Sequence, residues 1–364
     1  MRIEEVRAWV KLLQAREVGN QKAARLIEKL GNPIDFIGKG TMPLAEVDFL
    51  PERVITELAS PEPPELWEYI SRTIEKFDIK LVSVLDDNYP RHLKGIYYTP
   101  PILFYIGNMI KEDFNRTLAI VGTRKTSTYG KVQCEILTRD LVRGGFTIIS
   151  GLAHGIDTLA HRTTLENNGK TYAVMGTPCD QIYPSSNKGL AKQIIREGAI
   201  ISEFMPGIAI NKGFPRRNRI ISGISLGSLI IEGSRTSGAL ITAKNAVDQG
   251  RYVFALPGDI TREQAEGPNY LIKLGATPVT SADDIFEVFD MTMEKEEQLT
   301  VFPQLDVNED KVYQVLLEHK PEIDIDKLYL ESGLSLPVLS SVLLNLDLKG
   351  VIKRMPGNRI APMY

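Results

Sequence analysis

Between Thr117 and Ala255, short β-rich apolar runs alternate with amphipathic stretches of helical length, and no other feature constrains the fold as much. The runs are Leu118–Val121, Phe146–Ile149, Thr171–Met175, Ala199–Ser202, Ser228–Ile231 and Tyr252–Ala255. Strands joined through helices run parallel and are covered on both faces, so they read as unbroken apolar segments. The expectation is an α/β fold with an extended Rossmann-like, doubly wound, mainly parallel sheet. Two more runs, Ile79–Leu85 and Ile102–Ile106, lie upstream on either side of Tyr98-Thr99-Pro100-Pro101 and are expected to widen that sheet.

The flanks read differently. Residues 1–78 carry helical spacing, as in Trp9, Leu12, Leu13 and in Ala23, Leu26, Ile27, Leu30, with stops at Gly31-Asn32-Pro33 and in the Pro-rich stretch Ser60 to Pro64. Residues 290–306 are acidic and weakly patterned, as a linker would be. Three helical stretches follow, Lys311–His319, Ile325–Ser332 and Leu336–Leu348, and then Val351–Arg354, a Pro356-Gly357-Asn358 turn and Arg359–Ala361. Three helices and a hairpin outline a winged helix. The expected domains are a helical one over 1–78, a sheet domain over 79–289, a linker over 290–306 and a winged-helix-like domain over 307–364.

The net charge of −3 hides an asymmetry, because residues 117–289 hold 19 Lys+Arg against 15 Asp+Glu and are +4, leaving −7 for the remainder. A polyanionic partner is therefore sought on the middle of the chain. The two cysteines, Cys134 and Cys179, form no C-x-x-C and no disulfide framework. Cys134 falls at an apolar helical position and Cys179 in a loop, where the expectation is core filling for the first and incidental exposure for the second. No stretch reads as a signal peptide or a bilayer span, so the expected location is cytoplasmic, with no membrane contact.

Four segments carry candidate chemistry. Gly122-Thr123-Arg124-Lys125-Thr126-Ser127 joins a strand to a helix, where free backbone N–H groups and the helix dipole favour an anion and Arg124 adds a planar fork. Ser150-Gly151 opens a second glycine-rich turn that runs to Asp157, without the acid that would hold an NAD ribose. Lys212, Phe214, Arg216, Arg217, Asn218 and Arg219 form a basic run with one aromatic and no acid, suited to a strand whose bases stack while its phosphates are neutralised. The fourth, Glu232 to Ala239, brings the small donors Ser237 and Gly238. Any one of these could be a solvated loop, but four at the carboxyl ends of strands in one α/β sheet converge on one crevice. His154, Asp157 and His161 share a helical spacing; an acid-base or metal cluster is the less favoured reading, and a helix-dipole role for Asp157 the simpler one. The chain shows neither G-x-G-x-x-G, nor a P-loop, nor HExxH, and no cofactor is expected.

With these residues in view the chain resembles the DprA/Smf (DNA-processing protein A) family. The likeness runs through Tyr89-Pro90 and Leu93, Pro101 to Gly107, Ile120 to Arg124 with Ser127 and Gly130, Ser150 to Asp157 with Ala160-His161, Phe214 to Ser222, Ser237 to Ala243, and Pro257-Gly258, over roughly residues 79–285. It implies a non-enzymatic protein that binds single-stranded DNA, dimerises, and helps load the RecA recombinase in natural transformation and recombination. Arg124 and the Gly122–Ser127 loop would form the phosphate pocket, beside Lys212, Phe214 and the Arg217-Asn218-Arg219 run. Thr123 stands where serine is commoner, and Gly176 to Asp180 departs from the usual glycine-rich form. Val18 to Leu26 is similar to a helix-hairpin-helix (SAM-like) turn, with Glu17 in place of its first glycine. Residues 308–364 hold seven cations against eight acids and Leu336–Leu348 has none of the cations, so that tail is expected to act as a scaffold or protein contact.

The alternative is an enzyme similar to the nucleotide phosphoribohydrolases, which also build a phosphate site on a Rossmann-like sheet. Their P-G-G-x-G-T-x-x-E signature is absent, and the nearest segment, Glu232 to Gly238, lacks the paired glycines and the following acid. A third reading, an interaction protein without DNA binding, is disfavoured by Arg124 and the 212–219 cations.

Overall fold

The computed structural model describes residues 3–209, 213–291, 305–349, 351–355 and 357–362. These fall into two units, one of the described residues up to 291 and the other of those from 305 onward. Much of the expected linker, residues 292–304, lies outside the described residues.

The first unit begins with helices α1 (Ile3–Gln14), α2 (Gly19–Leu30), α3 (Pro33–Phe36), α4 (Glu52–Ala59) and α5 (Trp67–Phe77). Then come β1 (Lys80–Ser83), β2 (Ile102–Gly107), β3 (Thr117–Val121), α6 (Thr128–Arg143), β4 (Thr147–Ser150), α7 (Ile156–Glu166), β5 (Thr171–Val174), α8 (Lys188–Glu197) and β6 (Ala199–Ser202). After α9 (Gly213–Ile224) follow β7 (Gly227–Ile230), α10 (Gly238–Asp248), β8 (Tyr252–Ala255), α11 (Glu263–Lys273), β9 (Thr277–Pro278) and α12 (Asp283–Val288).

Among the described residues the nine strands form one sheet in the order β1-β2-β6-β5-β4-β3-β7-β8-β9. From β3 to β9 neighbouring strands are parallel, while β1 and β2 add an antiparallel edge on β6. Every residue of β3, β4, β5, β6 and β7 is buried, the cause of the unbroken apolar runs. The chain winds outward from β3 through β4, β5 and β6, then returns to place β7 on the other side of β3. A doubly wound sheet opens its crevice at such a switch point.

Alternate strand residues separate two cores. Tyr172, Val174 and Ile201 pack with Ile220, Ile221, Ile224 and Ala243 of α9 and α10. Ala173 and Ile200 belong to a cluster that also takes in Ala191 and Ile194 of α8 and Trp9, Leu12, Leu26, Phe36 and Leu58 of the N-terminal helices. The helices before residue 78 thus bury their apolar faces in a core continuous with that of the sheet. Cys179 was expected to be incidentally exposed; it is buried in this second cluster, its thiol donating to the Phe104 carbonyl at 3.2 Å.

The second unit holds α13 (Val307–Glu318), β10 (Ile323–Asp324), α14 (Ile325–Ser332), α15 (Leu336–Leu348), β11 (Ile352–Met355) and β12 (Arg359–Pro362). Asp306 and Glu309 form a capping box that starts α13. The sheet order is β10-β12-β11, so a short strand that sequence pattern did not reveal joins the expected hairpin. Val312, Leu316, Leu328, Leu339, Leu346 and Ile360 fill its own core.

Candidate functional site

At the carboxyl ends of β3 and β7 a cavity of about 490 Å³ is walled by Gly122 to Lys125, by Ala153 and Asp157, by one face of α9, and by Ser234 to Thr242. All four sequence segments reach it. The sequence-expected residues that line it are Gly122, Thr123, Arg124, Phe214, Arg217, Asn218, Ser237 and Gly238. Ser127, Ser150, Gly151 and Arg219 stand behind or beside it, and Lys212 lies outside the described residues.

The loops are locked together by backbone. The Thr123 carbonyl accepts from Ile156 N–H, and the Thr123 N–H donates to the Glu232 carbonyl at 2.7 Å. Gly155, with φ +82°, comes so close to the first loop that a Cβ there would collide with the Thr123 carbonyl. That position needs glycine for both conformation and space.

Ser127 has a different task from the one expected. Its side chain caps α6 by accepting from Gly130 N–H, and its own N–H donates to the Glu232 carboxylate at 2.9 Å. The Ser127 hydroxyl also donates to Glu232, which Arg262 approaches at 3.4 Å. The start of α6 therefore already faces a buried carboxylate, which takes the Ser127 N–H, while Ser127 Oγ takes that of Gly130. Ser150 likewise is fully buried and donates to the Ile120 carbonyl at 2.6 Å.

The basic run does not form a loop. Residues 213–219 are the first turns of α9, and helical periodicity sends its arginines to different faces. Arg216 and Arg219, three residues apart, both reach Oε2 of buried Glu203, at 3.0 and 2.6 Å. Arg217, 4% exposed, points into the sheet and donates to the carbonyls of Gly151 (2.7 Å) and Val174. The Gly151 N–H in turn donates to Asp157 Oδ2 at 3.1 Å, so one residue is held through both of the peptides that flank it. A Cβ at Gly151 would collide with the Arg217 guanidinium.

Burial sets the charges here. It lowers the Arg217 pKa to about 10 against the pull of Asp157, and raises the Asp157 carboxyl despite Arg217 and the backbone donors. Burial, with Arg217 adding to it, pushes His161 down to about 3, and its Nδ1 sits 2.7 Å from Thr171 Oγ1. His161 is thus a packing element under the site, while Asp157 lines the cavity with its carboxylate held by the Gly151 N–H. Among the described residues no group of three or more His, Cys, Asp or Glu is placed to hold a metal ion.

What the cavity offers to solvent is Arg124 and Lys125, both exposed, with the Arg124 guanidinium 5.8 Å from the centre of the Phe214 ring. Tyr183, half exposed, packs on Phe214 at 5.2 Å, while Asn218 donates to the Gly238 carbonyl at 3.2 Å. Cations beside an accessible aromatic pair can neutralise phosphates and stack bases. Glu263 and Gln264, which sequence reasoning missed, complete the rim. Their signal was Pro268 inside α11: it lacks the N–H that would meet the Gln264 carbonyl, which accepts instead from Gly233 N–H at 2.7 Å.

Residues 80–290 match the family described as DNA recombination-mediator protein A. The chain belongs to that family. Residues 302–358 match the DprA winged helix domain. The DNA processing protein DprA of Bacillus subtilis is 41% identical over 210 residues, covering 57% of this chain and 71% of that protein. The X-ray structure of DprA from Streptococcus pneumoniae, 34% identical, superposes with a TM-score of 0.68 over 79% of this chain and 98% of that one. A DprA structure from Helicobacter pylori, described for its single-stranded DNA binding mode, is 25% identical with a TM-score of 0.53 over 59% of this chain and 98% of its own. The mixed architecture of N-terminal helices, central sheet and C-terminal helices is that of the DprA fold. Among the described residues no helix is long and apolar enough to cross a membrane.

Proposed function

We propose that this chain binds single-stranded DNA in the cavity at the β3/β7 switch point and serves as a non-catalytic recombination mediator. The observation that carries the reading is the placing of exposed Arg124 beside the Phe214 ring, on which Tyr183 packs, in a cavity where Arg217 and Asp157 are held by the fold. Family membership and the DNA-binding relative from H. pylori support it. Delivery of the strand to RecA and assembly as a homodimer complete the proposal by family membership. In it Arg124, Lys125, Asn218, Ser237 and Gly238 contact the strand, Lys212 joins them, and Arg217 and Ser127 shape the pocket. Residues 1–78, similar to a helix-hairpin-helix, and 307–364 act as flanking domains, the latter as a protein contact.

The test is a salt titration of oligothymidylate and of blunt duplex, with Arg124→Ala alongside. Single strand should bind more tightly, with affinity falling steeply in salt. Arg124→Ala should cost about 1.5–3 kcal/mol of binding, the range for a charge-assisted hydrogen bond, with the thermal midpoint unchanged. Equal affinity for duplex, or undiminished binding by the variant, would refute the proposal.

A further inference from the structure

Helix α9 has a second lined face. Between it and the first turn of α2 lies another cavity, of about 560 Å³, lined by Glu17, Asn20, Lys22, Tyr98, Arg216 and Arg219 among others. We infer that this cavity holds the next segment of the same DNA strand after it leaves the Phe214 side of α9, contacting phosphates through Lys22 and the arginines and a base through Tyr98. The inference rests on the reading of the first cavity as a single-strand site and extends it.

Charge is the first support. Glu203 offers one oxygen, Oε2, to Arg216, to Arg219 and to the Asn20 amide at once, so a single negative charge stands against two guanidinium groups. Arg219 Nη1 and Glu203 Oε1 are both buried without a hydrogen-bond partner among the described residues, while Arg216 stays half exposed. The Glu17 carboxylate pairs with Arg53, and Lys22 adds a further cation. A phosphate oxygen would meet the half-exposed Arg216 guanidinium, the accessible member of the pair.

The second support is Tyr98. It holds a left-handed backbone, φ +58°, which a bulky residue adopts at a cost, and its ring remains 46% exposed at the cavity, edge-on to Tyr97 at 4.1 Å. Strain of this kind persists where the surroundings impose it and is concentrated at ligand clamps. A third is continuity: Phe214 and Asn218 line one cavity and Arg216 and Arg219 the other, on opposite sides of a helix about 10 Å across, a span short for an extended strand.

The full chain is tested with fluorescein-labelled oligothymidylates of about five and about twenty nucleotides, lengths that bracket one site and a continuous path. Lys22→Glu reverses a partly exposed charge with no ion pair among the described residues, and Tyr98→Gly removes the ring while relieving the left-handed strain, so neither should lower the melting temperature. Both variants should bind the short oligonucleotide as the parent does and the long one about tenfold more weakly. The salt slope for the long strand should become shallower by ~0.7 in Lys22→Glu, the loss of one phosphate contact. Unchanged affinity for the long strand in both variants overturns the second contact, as does an equal loss on both lengths. Arg124→Ala separates the two readings: loss on both lengths with the Lys22 and Tyr98 variants silent leaves the first cavity standing alone, and no loss in Arg124→Ala removes the first reading itself.

Discussion

Arg217 distinguishes a residue that shapes the pocket from one that grips the ligand. Its guanidinium is almost fully buried and donates to the Gly151 and Val174 carbonyls. Arg217→Met keeps most of the volume and removes both bonds. Each carbonyl left without its donor costs about 1–3 kcal/mol, and Asp157 loses the positive charge that offsets its burial, so a total of about 3–5 kcal/mol is expected. For a unit of this size that is roughly 6–10 °C in Tm. Scanning calorimetry of the parent, Arg217→Met, Asp157→Asn and the double variant gives the coupling directly; Asp157→Asn should cost less in the Met background than in the parent, because the uncompensated carboxylate is gone. Arg124→Ala should show the reverse pattern, an unchanged Tm with weakened DNA binding. If Arg217→Met melts with the parent and loses affinity for single strands, the side chain is a ligand contact and the assignment made from its burial is wrong.

Stability should fall on acidification because His161, at about 3 in the fold, titrates near 6.5 once unfolded. Between those values the unfolded chain binds the extra proton, so stability is full above pH 6.5 and drops by ~1.4 kcal/mol per pH unit as pH falls toward 3. His161→Gln should flatten this component in chemical denaturation followed from pH 7 to 5, and an unaltered slope would show that other groups cause it. Removing residues 307–364 should change single-strand affinity by less than ~1 kcal/mol, the scale of peripheral charges, since α15 holds no cation. A larger loss in a folded truncation would place a DNA contact in the winged-helix unit.

The sheet was legible because parallel strands buried on both faces leave continuous apolar runs, while the two upstream runs, an antiparallel and partly exposed edge, were recognisable from their β-branched and aromatic content. The crevice was legible because its loops share glycine-rich strand-to-helix turns. Less legible was the fate of each cation. Residues 212–219 contain no acid, yet Glu203 lies 16 residues before Arg219 and ties the outer arginines together, and Gly151, 66 residues before Arg217, claims the inner one. Such pairings are long-range and leave no local pattern. Glu232 misled in the opposite sense: it opens a segment rich in small donors, but its carboxylate is turned back on Ser127. The divided faces of α9 follow from its being a helix, which the run of glycine, proline and arginine at its start obscured.

The bond from Ser127 N–H to Glu232 joins residues 105 apart in the chain. Synthesis proceeds from the N-terminus, so Arg124 emerges long before the carboxylate that fixes the turn carrying it. A growing chain that has not reached β7 has no strand to cover one side of β3, and the Thr123 and Ser127 N–H groups lack their Glu232 acceptors. The cavity is thereby completed only in the second half of translation: a ribosome-bound fragment that ends before β7 displays Arg124 without the wall that closes the site around it.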